Sequence, residues 1–236
     1  MKTAILVDGG FYRKRAYKLW GDKSPEIRAN ELFEYCLSHT NMQDVKNKGN
    51  DKCALYRIFY YDCPPISKKV FHPFLKRPID LGKSDTFQWT TAFLEELKKK
   101  RKVAIRLGEL SDSSLGYVLS TETTKKLFNG SLKIEDITED DFSFRANQKG
   151  VDMKIGLDIA SLAYKMQVDQ IILISGDSDF VSAAKLARRE GIDFILDPMW
   201  ADIKSNLSEH VDGIMSPTRN PKDPMALKPK PKKMKR

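Results

Sequence analysis

The chain has 236 residues, 41% hydrophobic and 31% charged, enough to bury the core of one or two domains. It has no apolar run near the ~18–20 residues that span a bilayer, and Ala4–Val7 is too short for the core of a signal peptide. A membrane protein is therefore excluded by this reading, and the cytoplasm is the expected location. The formal net charge is +9. Beyond Ser216 eight Lys or Arg stand against one acid, Asp223, a surplus of seven that leaves the body with only two.

That basic stretch, 217–236, is rich in Pro and Lys, lacks apolar periodicity and is expected to be disordered. It fits a nucleic-acid tether, because neutralised phosphates release counterions, and equally a solubilising tail. Cys36, Cys53 and Cys63 form no CxxC pair, and His39, His72 and His210 are scattered, so no common zinc spacing is present. Sparse, odd cysteines also fit a reducing compartment.

In chain order, Thr3–Val7 reads as a short buried strand closed by Asp8-Gly9-Gly10. Phe11–Trp20 and Pro25–Ser38 follow as helices, Pro25 suiting a first helical turn. Ala54–Tyr61 is an aromatic-rich strand ended by Pro64-Pro65, Thr86–Lys100 an amphipathic helix, and Val103–Leu107 a strand. Residues 112–141 are polar, with Tyr117–Leu119 and Ser131–Ile134 as short strands, and are treated as an insertion. Then come helix Val151–Met166, the apolar strand Gln170–Ser175, helix Asp179–Glu190, strand Gly191–Leu196 and a closing helix Ile203–His210. Strands alternating with helices predict an α/β fold built on a parallel sheet.

Open α/β sheets bind ligands just beyond the carboxyl ends of their strands. Asp8 ends the first strand, Asp177 and Asp179 follow the apolar run Ile171–Ile174 through Ser175-Gly176, and Asp152 opens a helix after Gly150. Carboxylates gathered in one place raise one another's pKa unless a cation compensates. Hard divalent ions such as Mg²⁺ and Mn²⁺ take oxygen ligands and lower the pKa of a bound water. Each aspartate also has an ordinary explanation. Asp8, Asp177 and Asp179 suit turns and helix caps, and Asp152 suits the positive end of a helix dipole. Three such positions beside glycines favour a metal site. Asp158 borders the apolar stripe of its helix and is a secondary candidate, either a group that supports the metal ligands or a half-buried hydrogen-bonding residue.

Ile5-Leu6-Val7-Asp8-Gly9-Gly10-Phe11, Lys149-Gly150-Val151-Asp152 and Leu173-Ile174-Ser175-Gly176-Asp177-Ser178-Asp179-Phe180 resemble the three signature blocks of NYN domains. These form part of the LabA-like branch of the PIN-like nuclease superfamily. Asp197-Pro198 and the stretch from Leu207 to Ile214 are similar to the family's last strand and helix. The resemblance spans residues 1–216 in order, with 64–145 matching by pattern only. It implies a three-layer, PIN-like (Rossmann-like) parallel sheet flanked by helices, with 1–216 as the nuclease domain. It also implies cleavage of RNA with Mg or Mn as cofactor, Asp8, Asp152, Asp177 and Asp179 being the metal-binding and catalytic acids. Many relatives carry asparagine two residues after the first aspartate, where this chain has Gly10.

A phosphodiester substrate needs cations nearby. Lys149 and Lys154 flank Asp152, Lys185, Arg188 and Arg189 follow Asp179, and Arg13, Lys14 and Arg15 follow Asp8; for any one of them a solvated helix face is the simpler account. Phe11, Tyr12 and Trp20 fit stacking on unpaired bases or packing in the core. RNA is the expected partner, no membrane is expected, and homo-oligomerisation is left open. Two other classes are weighed: a non-catalytic RNA- or nucleotide-binding adaptor, and a phosphohydrolase working through an aspartyl-phosphate, which would want a second acid where Gly10 stands. A P-loop NTPase is disfavoured by the absence of GxxxxGK[ST].

Overall fold

Strand β1 (Lys2–Asp8) is followed by helices α1 (Gly9–Trp20) and α2 (Pro25–Lys46), then β2 (Ala54–Asp62) and a short hairpin, β3 (Lys69–His72) and β4 (Arg77–Asp80). Next come α3 (Asp85–Lys98), β5 (Val103–Leu107), β6 (Glu109–Leu110), β7 (Gly116–Leu119), α4 (Thr121–Phe128), β8 (Phe142–Arg145) and β9 (Gln148–Lys149). The chain closes with α5 (Val151–Tyr164), β10 (Gln170–Ile174), α6 (Val181–Arg189), β11 (Asp193–Asp197), the single turn α7 (Ser205–Ser208) and β12 (Gly213–Ile214). This computed structural model describes residues 1–46, 53–110 and 115–222. The central sheet has six strands in the order β12-β11-β10-β1-β2-β5, every neighbouring pair parallel.

A parallel sheet covered on both faces demands strands that are apolar throughout, and β1 and β10 meet that demand. Ala4 and Leu6 join Ile171 and Leu173 in one core, against Ile155 and Ile159 of α5 and Ala184 and Ala187 of α6. Ile5 and Val7 join Ile172 and Ile174 in the other, against Tyr12 and Ala16 of α1, Leu32 and Cys36 of α2 and Phe93 and Leu97 of α3. Each fully buried Ile or Leu contributes about 2 kcal/mol of hydrophobic stabilisation. The result is the three-layer α/β architecture expected.

Several boundaries move. Helix α2 runs on to Lys46, past the expected Ser38. The helix expected at Asp179–Glu190 starts as a 3-10 turn, Ser178–Phe180, with Asp177 accepting from the Asp179 backbone. The helix expected at Ile203–His210 shrinks to one turn.

The strand expected at Ser131–Ile134 is not formed; a turn leads instead into a 3-10 segment at Ile134–Asp136. Before it stands α4, opened by Ser120 accepting from the Thr123 backbone at 3.0 Å and stopped at Asn129 and Gly130, the latter at φ +75°. A polar segment with a good cap and a left-handed stop makes a helix without apolar periodicity. Strands β7 and β8 pair antiparallel outside the main sheet, as do β3 and β4. Residues 111–114, part of the expected insertion, and 223–236, most of the basic tail, lie outside the described residues.

Candidate functional site

Strand order reverses between β1 and β10. From β1 the chain runs outward through β2 and β5, then returns beside β1 and runs outward the other way. Such a switch point leaves a crevice at the strand ends. Asp8 sits at the carboxyl tip of β1, and Ser175–Asp177 lead out of β10. Helix α5 delivers Asp152 in its first turn, opening on Gly150 at φ +78°, a left-handed conformation that glycine adopts without strain.

A cavity of about 430 Å³ opens there, and Asp8, Asp152 and Asp177 all line it, with Lys14, Phe11 and Asp202. The fourth sequence candidate, Asp179, lines an adjoining groove together with Asp152. Asp8 caps α1, its Oδ1 accepting from the Phe11 backbone at 3.0 Å, while Oδ2 accepts from the Ser175 hydroxyl at 3.2 Å. Ser175 Oγ also accepts from the Asp177 backbone at 3.2 Å, so one hydroxyl ties the β1 and β10 tips together. Capping and a place at the cavity are thus compatible in Asp8.

Burial pushes the Asp8 carboxyl above the ordinary aspartate value, and the charge of Asp177 adds to the rise against hydrogen bonds from Phe11, Ser175 and Gly10. The Asp152 carboxyl is raised too, first by burial, then by the charges of Asp8, Asp177 and Asp179. These acids therefore feel one another. Among the described residues no three His, Cys, Asp or Glu side chains are drawn together tightly enough to hold a bare metal ion. The donor set fits instead a hard cation of the Mg²⁺ type, which keeps several waters and leans on one or two carboxylates plus substrate phosphate. The mutual repulsion is what such an ion would relieve.

Asp158 takes no part. It accepts from the Tyr61 hydroxyl at 2.8 Å and pairs with Arg106 at 3.3 Å, lining a separate small cavity over β2 and β5. A boundary position on α5 turned it to the sheet rather than the crevice.

Of the basic candidates, Lys14 faces the acids. Arg13 is committed to Asp62, Arg15 to the Met199 carbonyl, Arg188 to Asp212 and Arg189 to Glu190. Lys149, Lys154 and Lys185 are exposed and do not line the acidic cavity. Phe11 lines the cavity, whereas Tyr12 is fully buried and Trp20 packs edge-on against Tyr35 and Trp200.

Sequence reasoning missed Asp202, which reaches the cavity from the loop after β11 and has no strand-tip signal to betray it. It also passed over two further tips, Asp62 of β2 and Asp197 of β11. Both are buried and hydrogen-bonded, Asp62 to the Tyr60 hydroxyl and the Cys63 backbone. Asp197 accepts from Tyr35 at 2.6 Å, Ser216 at 2.6 Å and the Met199 backbone at 2.8 Å, with His39 Nε2 at 2.9 Å.

The family model of the NYN domain matches residues 90–212, a range that holds Asp152, Asp177, Asp179 and Asp202 and leaves out Asp8. The chain belongs to the NYN domain family. NYN domains are part of the PIN-like nuclease superfamily, and the parallel sheet with flanking helices agrees with that membership. Among solved structures this NYN domain is similar to VPA0982 from Vibrio parahaemolyticus, a protein of unknown function. The TM-score is 0.40 at 13% identity, with 91% of each chain covered. No curated protein matches it. Among the described residues no helix is long and apolar enough to cross a membrane.

Proposed function

We propose that this NYN domain is a Mg- or Mn-dependent ribonuclease of the LabA-like branch, hydrolysing phosphodiester bonds of single-stranded RNA in the cytoplasm. One observation carries the reading: carboxylates from three distant chain segments, Asp8, Asp152 and Asp177, line one cavity at the sheet's switch point beside Lys14. Those three would hold the divalent ion, with Asp179 acting from the adjoining groove. A bound divalent ion would polarise the phosphate and supply a water of lowered pKa. Lys14 would hold a phosphate oxygen against the acidic floor, and the Phe11 ring offers a base a face to stack on. The Asp8 and Asp152 carboxylates would orient water for attack, while the Ser175 hydroxyl holds Asp8 in place.

The raised carboxyls give this reading a test in stability. A folded state that ionises Asp8 and Asp152 less readily retains protons the unfolded chain has already lost. Stability then falls as pH climbs from the ordinary aspartate value of 3.8 through the raised folded values, and the full penalty is present above them. Millimolar Mn²⁺ should therefore raise the melting temperature more at pH 7 than near pH 4, read by calorimetry. An equal rise at both would put the ion somewhere other than these carboxylates.

The open spacing of the acids favours one other reading, an adaptor that binds RNA without cutting it. Turnover separates the two: cleavage of single-stranded RNA with Mn²⁺, lost in chelator, supports the enzyme. Binding without turnover supports the adaptor. The basic tail is proposed as a tether. Because Pro217 is buried, truncation should fall after Lys222, removing six Lys or Arg. RNA affinity should drop and its dependence on salt should flatten, since each lost phosphate contact removes a released counterion. An unchanged salt slope would make the tail a passive appendage.

A further inference from the structure

A second cavity, about 460 Å³, opens beside α1, with Arg13 of that helix in its lining. Its lining differs in kind. Phe87, Tyr117, Phe144 and Ala146 form apolar and aromatic walls, and Arg13 and Asp62 form a polar patch. We propose that this cavity is a nucleobase subsite, receiving the Watson–Crick edge of an unpaired base from the strand whose phosphate lies over the acids. The source of the base rests on the nuclease reading; the cavity itself does not.

Three observations carry it. First, continuity: Lys14 lines the acidic cavity and its neighbour Arg13 lines this one. Asp8 is paired across the sheet with Tyr61, next to Asp62, so adjacent strands, one spacing of ~5 Å apart, each carry an acid into one of the two cavities. Second, the polar patch is built rather than incidental. Asp62 is 1% exposed and held by the Cys63 backbone and the Tyr60 hydroxyl, each at 2.8 Å, and by Arg13. A carboxylate has about four acceptor sites, so Asp62 retains room for a further donor, and the Arg13 guanidinium offers donors beside it. An acceptor next to a donor matches the edge of a base, where a donor stands next to an acceptor.

Third, the walls suit a flat, uncharged ring: Tyr117 and Phe144 meet edge to face at 5.3 Å. Small-molecule sites combine apolar walls with a few fixed polar groups in this way. The placement has a consequence for selectivity. A base that presents its Watson–Crick edge to Arg13 and Asp62 cannot be paired, so duplex RNA is refused at this position.

The test is equilibrium binding in chelator, where no strand is cut. A labelled single-stranded hexaribonucleotide is compared with versions carrying one abasic residue at each position in turn. One abasic position should cost about tenfold in affinity, within the range of a single stacked base. Ala146→Trp, which fills the cavity, and Phe144→Ala, which removes a wall, should each weaken the intact strand by a similar factor and leave that abasic strand unaffected. Circular dichroism verifies that both variants fold. Uniform binding along the abasic series, or intact binding unchanged in both variants, overturns the subsite. Tighter binding of free adenosine or cytidine monophosphate than of the hexamer would assign the cavity to a free nucleotide and overturn the strand assignment. A base-dependent signal in a protein that never cleaves with Mn²⁺ would sink the nuclease reading and leave the subsite standing.

Discussion

Replacing Asp177 with Asn should lower RNA cleavage at least about a hundredfold while leaving the protein folded. The carboxylate is exposed at the cavity, and its neighbours Asp8 and Asp152 both register its charge. Asparagine keeps a side-chain oxygen to accept from the Asp179 backbone, a bond of 3.0 Å in the native chain, so the turn should survive. What disappears is one negative charge facing the ion. Groups that merely support a metal ligand already cost about 10–100-fold when lost, so a direct ligand should cost at least the upper figure. Melting temperature should stay the same or rise slightly, because a repulsive charge has gone. Cleavage by the variant at the native rate would trace the activity to a contaminant and end the proposal.

The opposite pattern is expected for Asp197→Ala. This carboxylate is fully buried and has partners in Tyr35, Ser216, the Met199 backbone and His39. Removing it strands several buried polar groups at once. Breaking one buried charged partnership costs about 3–5 kcal/mol, and the same scale is expected in urea or thermal unfolding. The Tyr35 hydroxyl shows how closed the place is, since burial and the neighbouring Asp197 charge push its pKa far above the ordinary range. A loss under about 1 kcal/mol would mean that the donors find water or new partners, and that the network is not a structural anchor. The two variants together separate an acid that works from an acid that holds.

That separation was not legible in the sequence. Asp8, Asp62 and Asp197 all end strands of the central sheet, and Asp177 follows one closely. Residue type and position are alike. Asp197 is satisfied because Tyr35, His39 and Ser216 come to it from remote elements, as Arg13 comes to Asp62, and no local pattern announces those approaches. Asp158, open between a group supporting the site and a half-buried hydrogen-bonding residue, was decided by packing in the same way. A residue at the edge of a helical stripe faces whichever neighbour the packing supplies, and here the packing supplied Tyr61 and Arg106.

What the residues could declare alone was anything governed by local periodicity or by a strand's own burial. The unbroken apolar runs of β1 and β10 dictated central parallel strands, because only a sheet covered on both faces hides every side chain. The Asp-Gly and Ser-Gly-Asp turns then placed acids at strand tips. Tertiary structure decided which tips meet: the reversal of strand order between β1 and β10 left a crevice between them, and α5 swung Asp152 over it. It also created the aromatic cavity beside α1, whose walls come from α3, the paired strands β7 and β8 and the loop after β2, segments whose encounter depends on long-range packing that no sequence window contains.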